Sequence, residues 1–203
     1  MRWVLALVLA ALTACSSAAQ SPQPSRSPDV EAGAVQEFVG EGAPLEPVRA
    51  RYSEFEPPFT FLVPEGWSGG HEHEDYFDIW NGEDLAIGFA RPTAIPTSEG
   101  PVAWDSVTPN RALRLIGEPV AEPSPIAETE ADGRPALEMS FSVDCRTGLL
   151  RFGAGIFHIE PPWRPRAIAF DVDGTLLLIL VQRTAPGDQA DEASVLTSID
   201  FDT

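Results

Sequence analysis

A serine that attacks an acyl carbon needs a base within reach and little side-chain bulk around it. Residues 66–70 read Gly66-Trp67-Ser68-Gly69-Gly70, with His71 and His73 close behind. The spacing matches the G-x-S-x-G elbow, in which a strand runs into the serine and a helix leaves it. Ser68 with His71 or His73 is therefore a candidate hydrolase pair. The same two histidines stand two apart, so on a strand they would share a face. With Glu72, Glu74 and Asp75 they could hold zinc or copper weakly through residues 71–75. The residues after Ser68 favour a plainer role. GHEHEDYFDIW is charged and then alternates, with no helical period. PEGWSGG reads as a turn after a strand, and 71–75 as a solvated, charged loop.

Two aspartates offer a different chemistry. Asp171 and Asp173 stand in FDVDGTLL, which resembles the nucleophile motif of haloacid-dehalogenase-type phosphatases. The resemblance implies that Asp171 attacks phosphorus and that Asp173 acts as acid and base. That family also uses a downstream lysine, and this chain has none; every basic residue is an arginine. Thr175 leads straight into LLLILV, whereas a parallel crossover needs a dozen or more residues and usually a helix. A hairpin turn at Asp173-Gly174 explains the same residues, because both types tolerate positive φ. It would pair Val172 with Thr175, Phe170 with Leu177 and Ile168 with Ile179. No catalytic residue is assigned from the sequence, and the residues call for no cofactor or dedicated metal.

The first residues carry an address. MRWVLALVLAALTAC places one arginine behind the start and an apolar run from Trp3 to Leu12. A spanning helix needs roughly 20 apolar residues, so the run suits the h-region of a signal peptide better. Leu12-Thr13-Ala14-Cys15 resembles the lipobox of bacterial lipoproteins. The resemblance implies a diacylglycerol on the Cys15 thiol and cleavage before it. Two or more acyl chains hold a protein stably at a membrane, where one holds it marginally. Residues 16–29, SSAAQSPQPSRSPD, are rich in serine and proline and lack an apolar period, which makes a tether. A short helix is expected over 30–39. The other cysteine, Cys145, falls on the core side of a strand end and reads as a buried thiol.

The chain has 203 residues, a formal net charge of -18 and 43% hydrophobic residues. That is enough apolar material for a core in one domain. So acidic a surface is repelled by a phosphate backbone and excludes general nucleic-acid binding.

The elements that position these residues are mostly hairpins. Phe59, Phe61 and Val63 alternate, and Pro64 ends their strand. YFDIW, Asn81-Gly82 and LAIGFA read as strand, turn and strand, with Tyr76, Asp78 and Trp80 on one face. After Asp132-Gly133, Leu137, Met139, Phe141, Val143 and Cys145 point one way, against Ala136, Glu138 and Ser140. LLRFGAGIFH alternates around bending glycines. Helices are few: one over 98–107, one capped by Thr108 with Pro109 in its first turn, and one over QADEASVLTS capped by Asp188. SIDF would close the chain as a strand. Trp67, Trp80, Trp104 and Trp163 read as core or turn packing, with one or two able to line a groove. The expected organisation is a signal peptide over 1–14, a lipidated cysteine and tether over 15–47, and one domain over 48–203. Its fold class is α+β: a single, mostly antiparallel, curved sheet of hairpins with two or three short helices.

RYSEFEPPFTFLVPEGW, ETEADGRPALEMSFSV, IAFDVDGTLLLILVQR and DEASVLTSIDF together resemble uncharacterised secreted or lipid-anchored proteins of high-GC Gram-positive bacteria. P-x-G-W and the terminal helix before S-I-D-F are also similar to PsbP-like and LpqN-like lipoprotein domains. The resemblance implies an antiparallel sheet with flanking helices. It carries no catalytic residue to transfer. The expected function is a lipoprotein on the extracytoplasmic face of the cell membrane that binds an unknown protein or small-molecule ligand without catalysis. The alternative is an envelope hydrolase.

Overall fold

The computed structural model describes residues 35–37, 44, 47–52, 55, 57–73, 76–82, 85–91, 93–95, 97–118, 122–142, 149–152, 155–158, 165–183 and 189–201. In chain order the elements are β1 (Gln36–Glu37), β2 (Val48–Tyr52), β3 (Phe59–Val63), β4 (Ser68–His73), β5 (Tyr76–Asn81), β6 (Leu85–Ala90), β7 (Ala94–Ile95), β8 (Val102–Ala103), a 3-10 turn (Trp104–Ser106), α1 (Pro109–Gly117), β9 (Ala127–Ala131), β10 (Arg134–Ser140), β11 (Leu149–Phe152), β12 (Gly155–His158), β13 (Arg166–Val172), β14 (Thr175–Arg183) and α2 (Gln189–Ser198). The class is α+β. The dominant element is a seven-stranded antiparallel sheet in the order β4-β5-β6-β14-β13-β10-β9.

Its centre is the β13–β14 hairpin. Asp173 and Gly174 have φ of 53° and 90°, so two residues turn the chain as expected from their types. The register follows: Val172 opposite Thr175, Phe170 opposite Leu177 and Ile168 opposite Ile179. From Leu176 to Val181 β14 is apolar on both faces because both are covered. The β9–β10 hairpin turns in the same way at Asp132 (φ 52°) and Gly133 (φ 64°).

Two layers flank this sheet. On the first face lie a three-stranded sheet, β1-β2-β3, and α2. This adds a layer to the single sheet expected from the sequence. The space between is filled by aromatic rings. Phe77 stacks on Phe89 with centroids 4.7 Å apart, and Phe59 meets Phe77 at 5.5 Å and Phe89 at 5.1 Å. Burying each such ring contributes about 1.5–3 kcal/mol. Arg166 on β13 donates to Glu138 at 3.0 Å and to Glu192 of α2, which joins that helix to the sheet.

The second face is covered over β13 and β10 by α1. Thr108 caps that helix by accepting from the Arg111 N–H at 3.4 Å, and Pro109 follows the cap. Ala112, Leu113 and Ile116 are its buried stripe. Leu137, Met139 and Phe141 join them, while Ala136 is buried on the opposite face, so β10 is covered on both sides. Beside the helix, Trp104 is fully buried, and its Nε1 donates to the Leu176 carbonyl at 2.6 Å.

Several expectations need correction. The described part of the helix expected over 30–39 is a strand: Gln36–Glu37 pairs parallel to β2. The chain thus joins the fold before residue 48. The helix expected over 98–107 is a β7–β8 hairpin and one 3-10 turn, because Gly100, at φ 122°, and Pro101 break it. Asn81 lies opposite Leu85, so the Asn81-Gly82 signal gives a three-residue loop. The longer loop puts Phe77 and Ile79 opposite Phe89 and Ile87, where a two-residue turn would have put Tyr76 opposite Ile87 and Asp78 opposite Leu85. SIDF contributes one bridge, Asp200 to Thr60. The α2 helix forms as expected, and its proposed cap, Asp188, lies outside the described residues.

Candidate functional site

Ser68 and the two aspartates singled out for catalysis are held apart. Ser68 is half-buried at the start of β4, opposite Trp80, and the chain continues as strand through His73. A nucleophile elbow needs a helix there. The turn comes before the serine, where Gly66 (φ 79°) donates its N–H to the Pro44 carbonyl at 2.9 Å. The G-x-S-x-G match is therefore a turn followed by an edge strand. The backbone of His71 to His73 also belongs to that strand, which corrects the loop reading, and the pairing shifts register between Gly70 and His73. The side chains of 71–73, with Glu74 and Asp75, lie outside the described residues. Among the described residues no three His, Cys, Asp or Glu side chains gather as a metal site. Cys15, Cys145 and Trp163 lie outside them too.

Asp171 and Asp173 sit at a hairpin tip. Asp171 accepts from the Gly174 N–H at 2.8 Å, which braces the turn. The Asp173 side chain is 88% exposed, 3.8 Å from Arg134. Neither faces a cleft with the other. Ser68 on β4 and Asp171 on β13 are four strands apart, roughly 19 Å. The phosphatase motif is thus a turn sequence.

Register brings together another set. Cross-strand partners share a face. One row of the second face runs Ser68, Trp80, Ala86, Gln182 from β4 to β14. The next runs Gly70, Asp78, Gly88, Leu180, and the third holds Tyr76, Ala90 and Leu178. Small residues thus lie between polar ones: Ala86 separates Trp80 from Gln182, and Gly70 and Gly88 flank Asp78. Trp80 and Asp78 are half-buried.

The polar groups here are specific. Tyr76 is 3% exposed, and its hydroxyl donates to Asp78 Oδ2 at 2.7 Å. Burial first, then the charge of Asp78 and this hydrogen bond, push the phenol pKa far above the usual tyrosine value. Tyr76 therefore stays protonated and remains a donor to Asp78. Gln182 is 6% exposed, and its Oε1 is buried without a hydrogen-bond partner. A buried acceptor left unsatisfied costs about 1–3 kcal/mol. The sequence signals for this set were faint: one aspartate inside YFDIW, and one glutamine ending LLLILVQ.

A separate groove of about 610 Å³ lies between the α1 N-terminus and the β9–β10 hairpin, lined by Thr108, Pro109, Asn110, Glu128, Glu130 and Leu137 among others. Its carboxylates complement the positive end of the helix dipole, which is a structural use.

No family model matches this chain, and neither does any curated protein. Among solved structures it is similar to the solution structure of the cyanobacterial PsbP protein CyanoP from Synechocystis sp. PCC 6803, at 16% identity. The match covers 82% of this chain and 98% of that one, with a TM-score of 0.43.

Proposed function

We propose that this chain is a lipoprotein of the cell envelope, anchored through Cys15 on the extracytoplasmic face of the membrane, and that it binds rather than catalyses. Leu12-Thr13-Ala14-Cys15, the apolar run before it and the Ser/Pro-rich stretch after it support the anchor. The binding role rests on one observation. Residues from β5 and β14 place Asp78, Trp80 and the unsatisfied Gln182 on one sheet face, around a floor of glycine and alanine. Ser68 begins one row of that face, and Asp171 stands four strands away from it at a hairpin tip.

The test is incorporation of labelled palmitate into the full chain in a bacterial host, followed by crosslinking in intact envelopes. The wild type is expected to carry the label and sediment with membranes, and Cys15→Ser to lose both. An unlabelled wild type would refute the anchor. Crosslinked products that do not depend on the sheet face would refute the binding role assigned to it.

A further inference from the structure

We infer that the outer edge of β9 accepts an extended segment of a partner protein as an added antiparallel strand, one that carries arginine or lysine at alternate positions. This surface is separate from the Asp78–Trp80–Gln182 face, because β9 ends the seven-stranded sheet on the side away from β5.

The backbone supplies the edge. β9 pairs with β10 on one side, and among the described residues no strand pairs with it on the other. Ala127, Glu128 and Glu130 are exposed along it. The two-residue turn at Asp132-Gly133 makes Ala131 and Arg134 a hydrogen-bonded pair, and such pairs alternate along an antiparallel ladder. Thr129 with Ala136 and Ala127 with Glu138 therefore bond to each other. The N–H and C=O groups of Glu128 and Glu130 point the other way, to the free edge. Pro135 fits this phase. It lies opposite Glu130, where β9 asks for no N–H. An edge of unpaired backbone groups is a template for another strand.

The side chains choose the strand. Glu128 lies opposite Leu137 and Glu130 opposite Pro135, so both carboxylates stand on the second face, beside the groove under the α1 N-terminus. Thr108 caps that helix, and among the described residues neither carboxylate takes a hydrogen bond or an ion pair. Both charges are left for a partner. Two copies of β9 paired about Thr129 would set Glu128 opposite Glu130 twice, and like charges directly opposite repel. The net charge of -18 adds to that repulsion. The same carboxylates that keep a second copy away attract a strand with cations at the facing positions. Those positions share the groove's face, so long basic side chains have Pro109 and Leu137 to lay their apolar stems against.

The test uses the full chain in detergent micelles at fixed ionic strength and a dye-labelled peptide of alternating threonine and arginine, read by fluorescence anisotropy. Two further peptides keep the same charge. One is methylated on its arginine backbone nitrogens, which face β9 when the arginines share the face of Glu128 and Glu130. The other is methylated on its threonine backbone nitrogens, which face away. The unmethylated peptide is expected to bind saturably. Methylation at arginine should weaken it about tenfold, through the loss of backbone hydrogen bonds, and methylation at threonine should leave it unchanged. The double variant Glu128→Gln/Glu130→Gln should weaken the unmethylated peptide about fivefold and keep the wild-type urea midpoint, because both side chains are exposed. Equal affinities of the two methylated peptides would overturn strand addition, leaving only attraction to an acidic surface. Unchanged affinity in the double variant, or no binding at all, would overturn the β9 edge as the site. A chain that already pairs with itself through β9, seen as a doubled protein mass that falls as the arginine peptide is added, would overturn the choice of partner.

Discussion

The two faces of the seven-stranded sheet are built by different rules. The first is filled by large rings, Phe59, Phe61, Phe77 and Phe89, in mutual contact and fully or almost fully buried. The second is divided. Over β13 and β10 it is aliphatic and roofed by α1 and Trp104. Over β5 and β6 it carries Gly88, Ala86 and Ala90, with Asp78, Trp80 and Gln182 among them. One face maximises contact. Half of the other gives up side-chain volume and buries an acceptor that has no donor. The difference separates the part of the sheet closed by apolar contacts from the part that holds polar side chains.

Substitutions can break or sharpen this contrast. The largest effect is expected on the first face. Phe77→Ala removes a ring that touches Tyr52, Phe55, Phe59, Phe61 and Phe89, and should cost about 3–5 kcal/mol in urea unfolding. A cost under about 1 kcal/mol would mean that the aromatic cluster is not the main core. Next comes the roofed half of the second face. Trp104→Phe keeps a ring but leaves the Leu176 carbonyl without its indole donor, for about 1–3 kcal/mol. Thr108→Ala removes the cap of the roofing helix and should cost about 1 kcal/mol.

The effect of Tyr76 is hidden at neutral pH. Its folded pKa lies above that of an unfolded tyrosine, about 10, so the folded state holds the proton longer. Stability from this group is complete below about pH 10 and is lost as pH rises further, because unfolding then releases the proton. Denaturation midpoints measured across alkaline pH should fall for the wild type and fall less for Tyr76→Phe. Parallel curves would remove Tyr76 as the cause.

The fold was legible where local chemistry leaves one choice. Asp173-Gly174 and Asp132-Gly133 demand positive φ at both positions, and that demand alone sets the register of two hairpins. Thr108 with Pro109 located α1 for the same kind of reason. Asn81-Gly82 looked equally firm and misled, because Glu83 and Asp84 allow a longer loop and one added residue exchanges the faces of β5. Gly66-Trp67-Ser68-Gly69-Gly70 and FDVDGTLL matched catalytic motifs because turns use the residues that those motifs use. The candidate site was not legible. Asp78 and Gln182 are about a hundred residues apart in sequence and meet only because β6 pairs with both β5 and β14. Nothing local announces a pairing of that range.

The central claim is that the second face carries Gln182 without using it to hold the fold. The direct measurement is urea unfolding of the full chain, wild type against Gln182→Met, without added ligand. Removing an unsatisfied buried acceptor at nearly constant volume should leave stability unchanged or raise it by up to about 1 kcal/mol. A loss of more than about 1 kcal/mol would show that the glutamine holds the protein together, and would contradict the claim.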